Sequence, residues 1–376
     1  MSRAVLITGG AGFIGSHLAD ALLQRGDRVR VLDNLDPQVH GDERRRPDYL
    51  DPEVELITGD VRDAAAVGKA LEGVDAVVHL AACVGVGQSM YEVARYTDVN
   101  NRGTAVLLEA LIQRSAAKPI EKLVVASSMS LYGEGLYRAA DGSIVAGTER
   151  PLERLKEREW ELADGDGNPL TPIPTPETKA PNLASVYALS KYDQERLSLI
   201  IGRAYGIPTT ALRFFNVYGT RQALSNPYTG VLAIFASRLL NNKPPLVNED
   251  GAQRRDFVSV HDVAQGIVLA LDTPEAAGQV FNIGSGRNYT VLEVARRLAE
   301  VLGKAQLEPE ITGKYRIGDI RHCFADISLT REVLGYEPKV EFEDGLLQLA
   351  QWLEGQIAVD RVQQATAELS ARGLTV

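Results

Sequence analysis

Cysteine is scarce: the 376 residues contain two, Cys83 and Cys323, far apart and neither in a Cys-x-x-Cys pair. That argues against a disulfide framework and a thiolate metal site, and makes a reducing cytoplasm the expected setting. Long apolar runs are missing as well. No stretch approaches the roughly 18 residues of a membrane-spanning helix, so no membrane partner is expected. The first strand-like run, RAVLIT, starts at residue 3 and leaves no room for a signal peptide. Positive charge is in deficit, 40 Lys and Arg against 50 Asp and Glu, and the net charge of −10 argues against a nucleic-acid surface. His17, His79, His261 and His322 stand at no spacing suited to a metal, and no metal is expected. No internal repeat is visible, which excludes solenoid architectures.

What is present is a rhythm. The chain is longer than one core usually organises, and its 45% hydrophobic and 24% charged residues are ordinary for a globular protein. Short β-branched runs at 5–8, 29–32, 54–57, 76–79 and 123–126 alternate with amphipathic stretches at 14–23, 64–71 and 93–113. That βαβαβ order predicts an α/β fold, a doubly wound parallel sheet with helices on both faces. A helix over 185–205 and a strand over 208–213 extend it. After about residue 220 the elements shorten, with loops marked by NNKPP, EDGAQ and GSGRN. The expected division is a nucleotide-binding domain over 1–219 with a long insertion at 134–182, and a smaller C-terminal substrate-binding lobe over 220–356. Residues 255–270 of that lobe are expected to pack back on the sheet, and 357–376 to form a polar helical tail. The insertion contains ERPLERLKEREWEL, suited to a short charged helix, and PIPTP, which favours extended chain. A segment this long is either a solvated excursion or a flap near a ligand.

TGGAGFIGSH, residues 8–17, lies between the first strand and the first helix. Gly12 leaves room for a backbone approach to a pyrophosphate, and Gly15 lets helix and strand pack closely. Gly9, Phe13 and Ile14 complete the turn, whose N–H groups open the helix toward phosphates. Asp33, followed by Asn34, ends the second strand, where a carboxylate accepts hydrogen bonds from both ribose hydroxyls and repels a 2′-phosphate. This pattern predicts a Rossmann-type site for NAD rather than NADP. In GDVRD, residues 59–63, Asp60 is placed to accept from an adenine amino group, with the Val61 N–H on a ring nitrogen.

SVYALSKYDQE, residues 185–195, puts Tyr187 and Lys191 four apart on one helix face. A tyrosine with a pKa near about 10 is a poor base at neutral pH. A neighbouring ammonium and a positive nicotinamide ring both favour its phenolate. SSMSLYG, residues 127–133, ends a buried strand with hydroxyls.

Together with HLAA (79–82), LRFFNVYG (212–219) and RDFVSVHDVA (255–264), in that order along residues 3–355, these motifs resemble the extended short-chain dehydrogenase/reductase family, in particular its NAD-dependent nucleotide-sugar epimerases and dehydratases. The resemblance implies Ser128 as the catalytic hydroxyl beside Tyr187 and Lys191. It places backbone groups of Leu80, Ala81 and Ala82 at the nicotinamide, with Asn100 facing the site. Asn216 would bind the substrate diphosphate, Arg255 and Arg316 would clamp it, and Asp319 would hold the nucleoside ribose. Arg254 and Arg321 read as surface ion-pairing residues. Helices over 91–113 and 185–205 would build a homodimer. Family dehydratases carry an Asp–Glu pair just after the catalytic hydroxyl; here Met129 and Ser130 stand there, which disfavours water loss. The expected activity is therefore 4-epimerisation of a nucleotide-diphosphate sugar, on a dTDP-activated 6-deoxyhexose such as dTDP-L-rhamnose. A UDP-sugar 4-epimerase or a UDP-glucuronate decarboxylase is the alternative, and a non-catalytic NAD-sensing regulator a remote one.

Overall fold

A computed structural model describes residues 2–115, 119–226, 228, 230–316, 318–356 and 360–375. Seven strands build the central sheet: β1 (Ala4–Thr8), β2 (Arg28–Asp33), β3 (Glu55–Thr58), β4 (Ala76–His79), β5 (Lys122–Ser128), β6 (Thr209–Phe214) and β7 (Val280–Ile283). Their order is β3-β2-β1-β4-β5-β6-β7, with every pair parallel. Every residue of β1, β4 and β5 is buried, as in a parallel sheet covered on both faces. Helices Phe13–Gln24 and Val260–Asp272 pack against one face. Ala64–Leu71, Gly103–Ser115 and Val186–Tyr205 cover the other. Strand order reverses between β1 and β4, so a crevice opens beyond their C-terminal ends, where such sheets bind ligands.

A second apolar core belongs to the lobe. Helices Val231–Leu240, Val291–Val301 and Phe342–Leu353 meet around Phe235, Leu298, Phe342 and Leu349. The helix Val291–Val301 starts with a capping box between Thr290 and Glu293, which satisfies two backbone donors.

Polar side chains join helix to sheet behind the crevice. Glu195, fully buried, accepts two hydrogen bonds from Arg213 at 2.9 and 2.7 Å and one from Ser127 Oγ at 2.7 Å. Arg213 also donates to Tyr132 Oη at 2.8 Å, and that hydroxyl donates to Asn282 Oδ1 at 2.7 Å. One network therefore fixes the helix Val186–Tyr205 to β5, β6 and β7.

The insertion is more ordered than its sequence suggests. Leu136–Arg138, Ile144–Ala146 and Thr171–Ile173 form an antiparallel three-stranded sheet, and Leu152–Lys156 forms a short helix. Strands of three residues are too short to show a period of two. What anchors this sheet corrects the reading of Arg321. Its side chain is not at the surface but 0% exposed, and it binds Glu249 at 2.8 Å, Asp250 at 2.7 Å and Glu161 of the insertion. Arg150 of the insertion reaches Glu249 at 2.7 Å, and Glu134 accepts from the Arg321 and His322 backbone N–H groups. Arg254 does stay exposed, donating to Asn288 at 2.7 Å. The tail forms a helix, Val362–Ala371, that buries Ala365 and Leu369; residues 357–359 and 376 lie outside the described residues.

Arg213→Met should cost about 3–5 kcal/mol, because it strands the buried Glu195 charge. Urea unfolding checks this, and Glu195→Met combined with Arg213→Met should recover much of the loss.

Candidate active site

A cavity of about 640 Å³ occupies the crevice and runs from the sheet to the lobe. Gly9, Gly12, Phe13, Ile14, Gly15, Asp33, Asn34, Asp60, Val61, Leu80, Ala81, Ala82, Ser128, Tyr187, Lys191 and Asn216 line it.

The nucleotide end is shaped by close backbone packing. Gly9 has φ +69°, and a Cβ there would lie 2.9 Å from Ala81 Cα. At Gly15 a Cβ would lie 2.5 Å from Gly10 Cα. The helix Phe13–Gln24 begins at Gly12 with no side-chain cap, so its first N–H groups are free to receive an anion. Asp33 is oriented by the Ala11 and Leu35 N–H groups, at 3.0 and 2.9 Å. Burial pushes its carboxyl up, opposed by those donors and by His40 at 3.7 Å. Asp60 binds Arg62 with both oxygens, at 2.8 and 2.7 Å, and Asn34 at 3.1 Å; led by the Arg62 side chain, these partners hold its pKa at about 2. Asp63, not Asp60, caps the helix Ala64–Leu71.

At the other end, β5 delivers Ser128 and the helix Val186–Tyr205 delivers Tyr187 and Lys191. Ser185 caps that helix, accepting from the Ala188 N–H at 3.1 Å. Ser128 hydrogen-bonds the Tyr187 phenol; burial raises the phenol's pKa and this bond opposes the rise. Ser128 Oγ also accepts from Ser130 Oγ at 2.9 Å. Lys191 donates to Gln194 Oε1 at 2.7 Å. Burial lowers its pKa to about 7, opposed by Glu195 one turn further on. His79 lies between Thr8 Oγ1 at 2.7 Å and Thr104 Oγ1 at 2.9 Å, and burial followed by the Lys191 charge lowers its pKa to about 3. It is a neutral spacer at the strand end.

Four expected site residues stand elsewhere. Asn100 is buried behind the wall, in a π-helical turn, Thr97–Arg102, where its amide binds the Cys83 N–H at 2.7 Å and Ser190 at 2.9 Å. It shapes the wall and does not face the cavity. Arg255 and Asp319 lie outside the lining, 3.8 Å apart, with Arg255 turned onto the Arg254 and Arg321 carbonyls at 3.0 and 2.9 Å. Arg316 is exposed and pairs by its backbone with Thr375. No residue of 134–182 is among those lining the cavity, and Arg150 of the insertion instead binds the Asp319 carbonyl at 3.1 Å. Among the described residues no group of three or more His, Cys, Asp or Glu converges as for a metal ion.

A family model described as the NAD dependent epimerase/dehydratase family matches residues 5–156 and 162–284. The chain belongs to that family. It is 38% identical to a dTDP-L-rhamnose 4-epimerase of Burkholderia thailandensis, covering 94% of this chain and 96% of that one. Its fold resembles a UDP-glucose 4-epimerase of Thermotoga maritima solved with UDP-glucose (TM-score 0.75, 31% identity, 93% and 98% of the chains). It also resembles a UDP-glucose 4-epimerase of Thermus thermophilus solved with NAD (TM-score 0.74, 31% identity, 94% and 100%).

The residues of this family member fit NAD. The uncapped helix start suits the pyrophosphate, the oriented Asp33 carboxylate suits the adenosine ribose, and Lys191 is close to the backbone of Ala81 through Gln194, whose Nε2 lies 3.4 Å from the Ala81 carbonyl. Gln194 was invisible to sequence reasoning, although it lies one turn beyond Lys191. So were Ser89, whose Oγ accepts from the Tyr187 N–H at 3.0 Å, and Tyr96, set edge-on to the Tyr187 ring at 6.4 Å. Gln222, Asn226 and Gly230 line the lobe side of the cavity with no motif to announce them, and Phe214, within LRFFNVYG, joins them there.

The lowered Lys191 pKa has a stability consequence. Between pH 7 and about 10 the unfolded chain keeps a proton on this lysine that the ligand-free folded chain has released, so stability rises with pH across that window. Lys191→Met should flatten the slope by up to about 1.4 kcal/mol per pH unit, measured by urea midpoints at pH 7, 8 and 9. Equal slopes would contradict the assignment.

Proposed function

We propose that the chain is an NAD-dependent nucleotide-sugar 4-epimerase whose substrate is a dTDP-activated 6-deoxyhexose such as dTDP-L-rhamnose. The observation that carries the reaction type is the hydroxyl–phenol pair of Ser128 and Tyr187 beside buried Lys191, with Met129 and Ser130 following where a water-eliminating site would need acids. NAD held by the turn of Gly9, Gly12 and Gly15, by Asp33 and by Lys191 would supply the acceptor and then the donor of the C4 hydride, whose return to the opposite face inverts C4.

Tyr187 accepts the proton of the C4 hydroxyl and later gives it back, and Ser128 donates a hydrogen bond to the developing C4 oxygen. Ser130 leaves Ser128 free to donate, because its own hydroxyl supplies the hydrogen bond that Ser128 accepts. Lys191 binds the nicotinamide ribose, and its charge favours the Tyr187 phenolate. On the lobe side, Asn216 Oδ1 is buried without a partner among the described residues, which suits a polar ligand there. Asn216, Arg255 and Arg316 are assigned to the diphosphate and Asp319 to the ribose. For Arg255 and Asp319 that role requires the substrate to draw them from their present mutual contact.

The Burkholderia thailandensis relative supports the dTDP-sugar reading. A UDP-sugar substrate is the second reading, favoured by the Thermotoga maritima enzyme solved with UDP-glucose. A decarboxylase would instead release CO2 from a uronate. A mere NAD sensor would have no use for the intact Ser128, Tyr187 and Lys191 set. The free cysteines Cys83 and Cys323 support a cytoplasmic setting. Exposed Leu189 and Ile200, on the helix Val186–Tyr205, support a homodimer through that helix.

Purified protein incubated with dTDP- and UDP-sugars should yield C4 epimers without added NAD and without accumulating NADH. Tyr187→Phe should lower kcat by about 10²–10⁴ while NAD stays bound. Unchanged turnover in that variant would refute the assigned base. Sedimentation should give a dimer that Leu189→Glu with Ile200→Glu converts to monomer; a monomeric wild type would remove the dimer from the proposal.

A further inference from the structure

The C-terminal tail stands apart from the reaction just described, yet it contacts segments that border the substrate end. It leaves the lobe at Asp360, whose buried carboxylate binds Lys243 at 2.9 Å and Arg238 at 3.5 Å. The helix Val362–Ala371 then crosses the gap between two segments that line the cavity. Leu369 rests on Gly87, where a Cβ would approach its side chain to 3.2 Å. Arg372 stacks over the Tyr91 ring at 4.3 Å. The Glu368 carboxylate accepts from Tyr228 Oη at 2.9 Å and Tyr91 Oη at 3.2 Å, and the two phenols lie 2.6 Å apart. The chain ends by pairing Thr375 with Arg316.

These contacts continue inward without a break. The Tyr228 N–H donates to Asn226 Oδ1 at 3.0 Å, and Gln38 Nε2 donates to the same oxygen at 3.1 Å. Gln38 in turn exchanges hydrogen bonds with Gln88 at 3.0 and 3.2 Å and accepts from Arg95 at 3.1 Å. Gln38, Gln88, Arg95 and Asn226 all line the cavity. The chain of bonds thus runs from the tail, across the lobe loop, to the segment after β2 that borders the cofactor end.

We propose that the tail braces the nucleotide-sugar site from behind its lining and that Glu368 is a positioning residue, pinning Tyr91 and Tyr228 so that Asn226 is held where it lines the cavity between lobe and sheet. Glu368 touches neither substrate nor cofactor. It acts by fixing two phenols on two segments that carry lining residues, and the backbone pairing with Thr375 ties Arg316, assigned to the diphosphate, to the same tail. The inference rests on the nucleotide-sugar reading of the cavity.

A positioning role of this kind changes retention of the ligand and leaves the chemistry at C4 alone. Glu368→Ala should raise the Kd for dTDP or UDP about tenfold, the equivalent of losing charge-assisted hydrogen bonds, and raise KM alike while kcat stays within about twofold. Glu368→Gln, which keeps an acceptor, should recover part of the affinity. Tryptic cleavage after Arg361 and Arg372 should slow when dTDP or UDP binds the wild type, and this protection should be lost in Glu368→Ala. Calorimetry and timed proteolysis of the full chain read both effects. Wild-type protein that binds the nucleotide while Glu368→Ala binds it equally and shows the same protection would overturn the inference alone. Wild-type protein that binds neither nucleotide would overturn the substrate reading and the inference with it.

Discussion

The buried pair of Glu195 and Arg213 sets the spacing on which the chemistry depends. Glu195 lies one helical turn beyond Lys191 and two beyond Tyr187, so fixing its carboxylate fixes the rotation of that face. Ser127, which donates to the same carboxylate, precedes Ser128 on β5. One carboxylate therefore sees both sides of the active site and holds them in register. Apolar side chains could join helix and sheet with no desolvation cost, but only a forked guanidinium against a carboxylate imposes an orientation as well.

Charge does similar work between the two lobes. Arg321 gathers Glu161, Glu249 and Asp250, and Arg150 shares Glu249 with it. Two of these residues come from the insertion, which is thereby tied to the lobe. Its length does not serve the cavity wall directly. It braces the strand His322–Cys323 and the residues just before it, including Asp319, which lies 3.8 Å from Arg255.

The nucleotide half of the site was legible because its constraints are local. A glycine that must admit a backbone within 3 Å, or a carboxylate ending a strand, leaves a mark at a fixed offset from β1 or β2. Tyr187 and Lys191 were legible for the same reason, four apart on one helix. Asn100 misled because its offset is right but a π-helical turn rotates its amide onto the Cys83 backbone. Arg321 misled because arginines beside acidic loops look the same in sequence whether exposed or enclosed, and its partners come from segments over seventy and a hundred and fifty residues away. The lobe side of the cavity gave little signal, since Gln222 and Asn226 are ordinary loop residues made relevant by the fold. The three short strands of the insertion were hidden by their brevity.

The placement of β7 has a consequence for how the molecule comes into being. This strand lies beside β6 in the sheet, yet the chain makes it only after the helix Val231–Leu240 and the segment 254–272. Asn282, on β7, is the acceptor for Tyr132, and Tyr132 is the acceptor for Arg213. During synthesis the N-terminal strands can pair and cover themselves as they emerge, in the usual order of vectorial folding. The edge of β6 stays open until residue 283 has left the ribosome. The segments bearing Gly9, Gly12, Gly15, Asp33 and Asp60 are thus synthesised well before the strand that supplies the last acceptor in the network of the tyrosine-bearing helix.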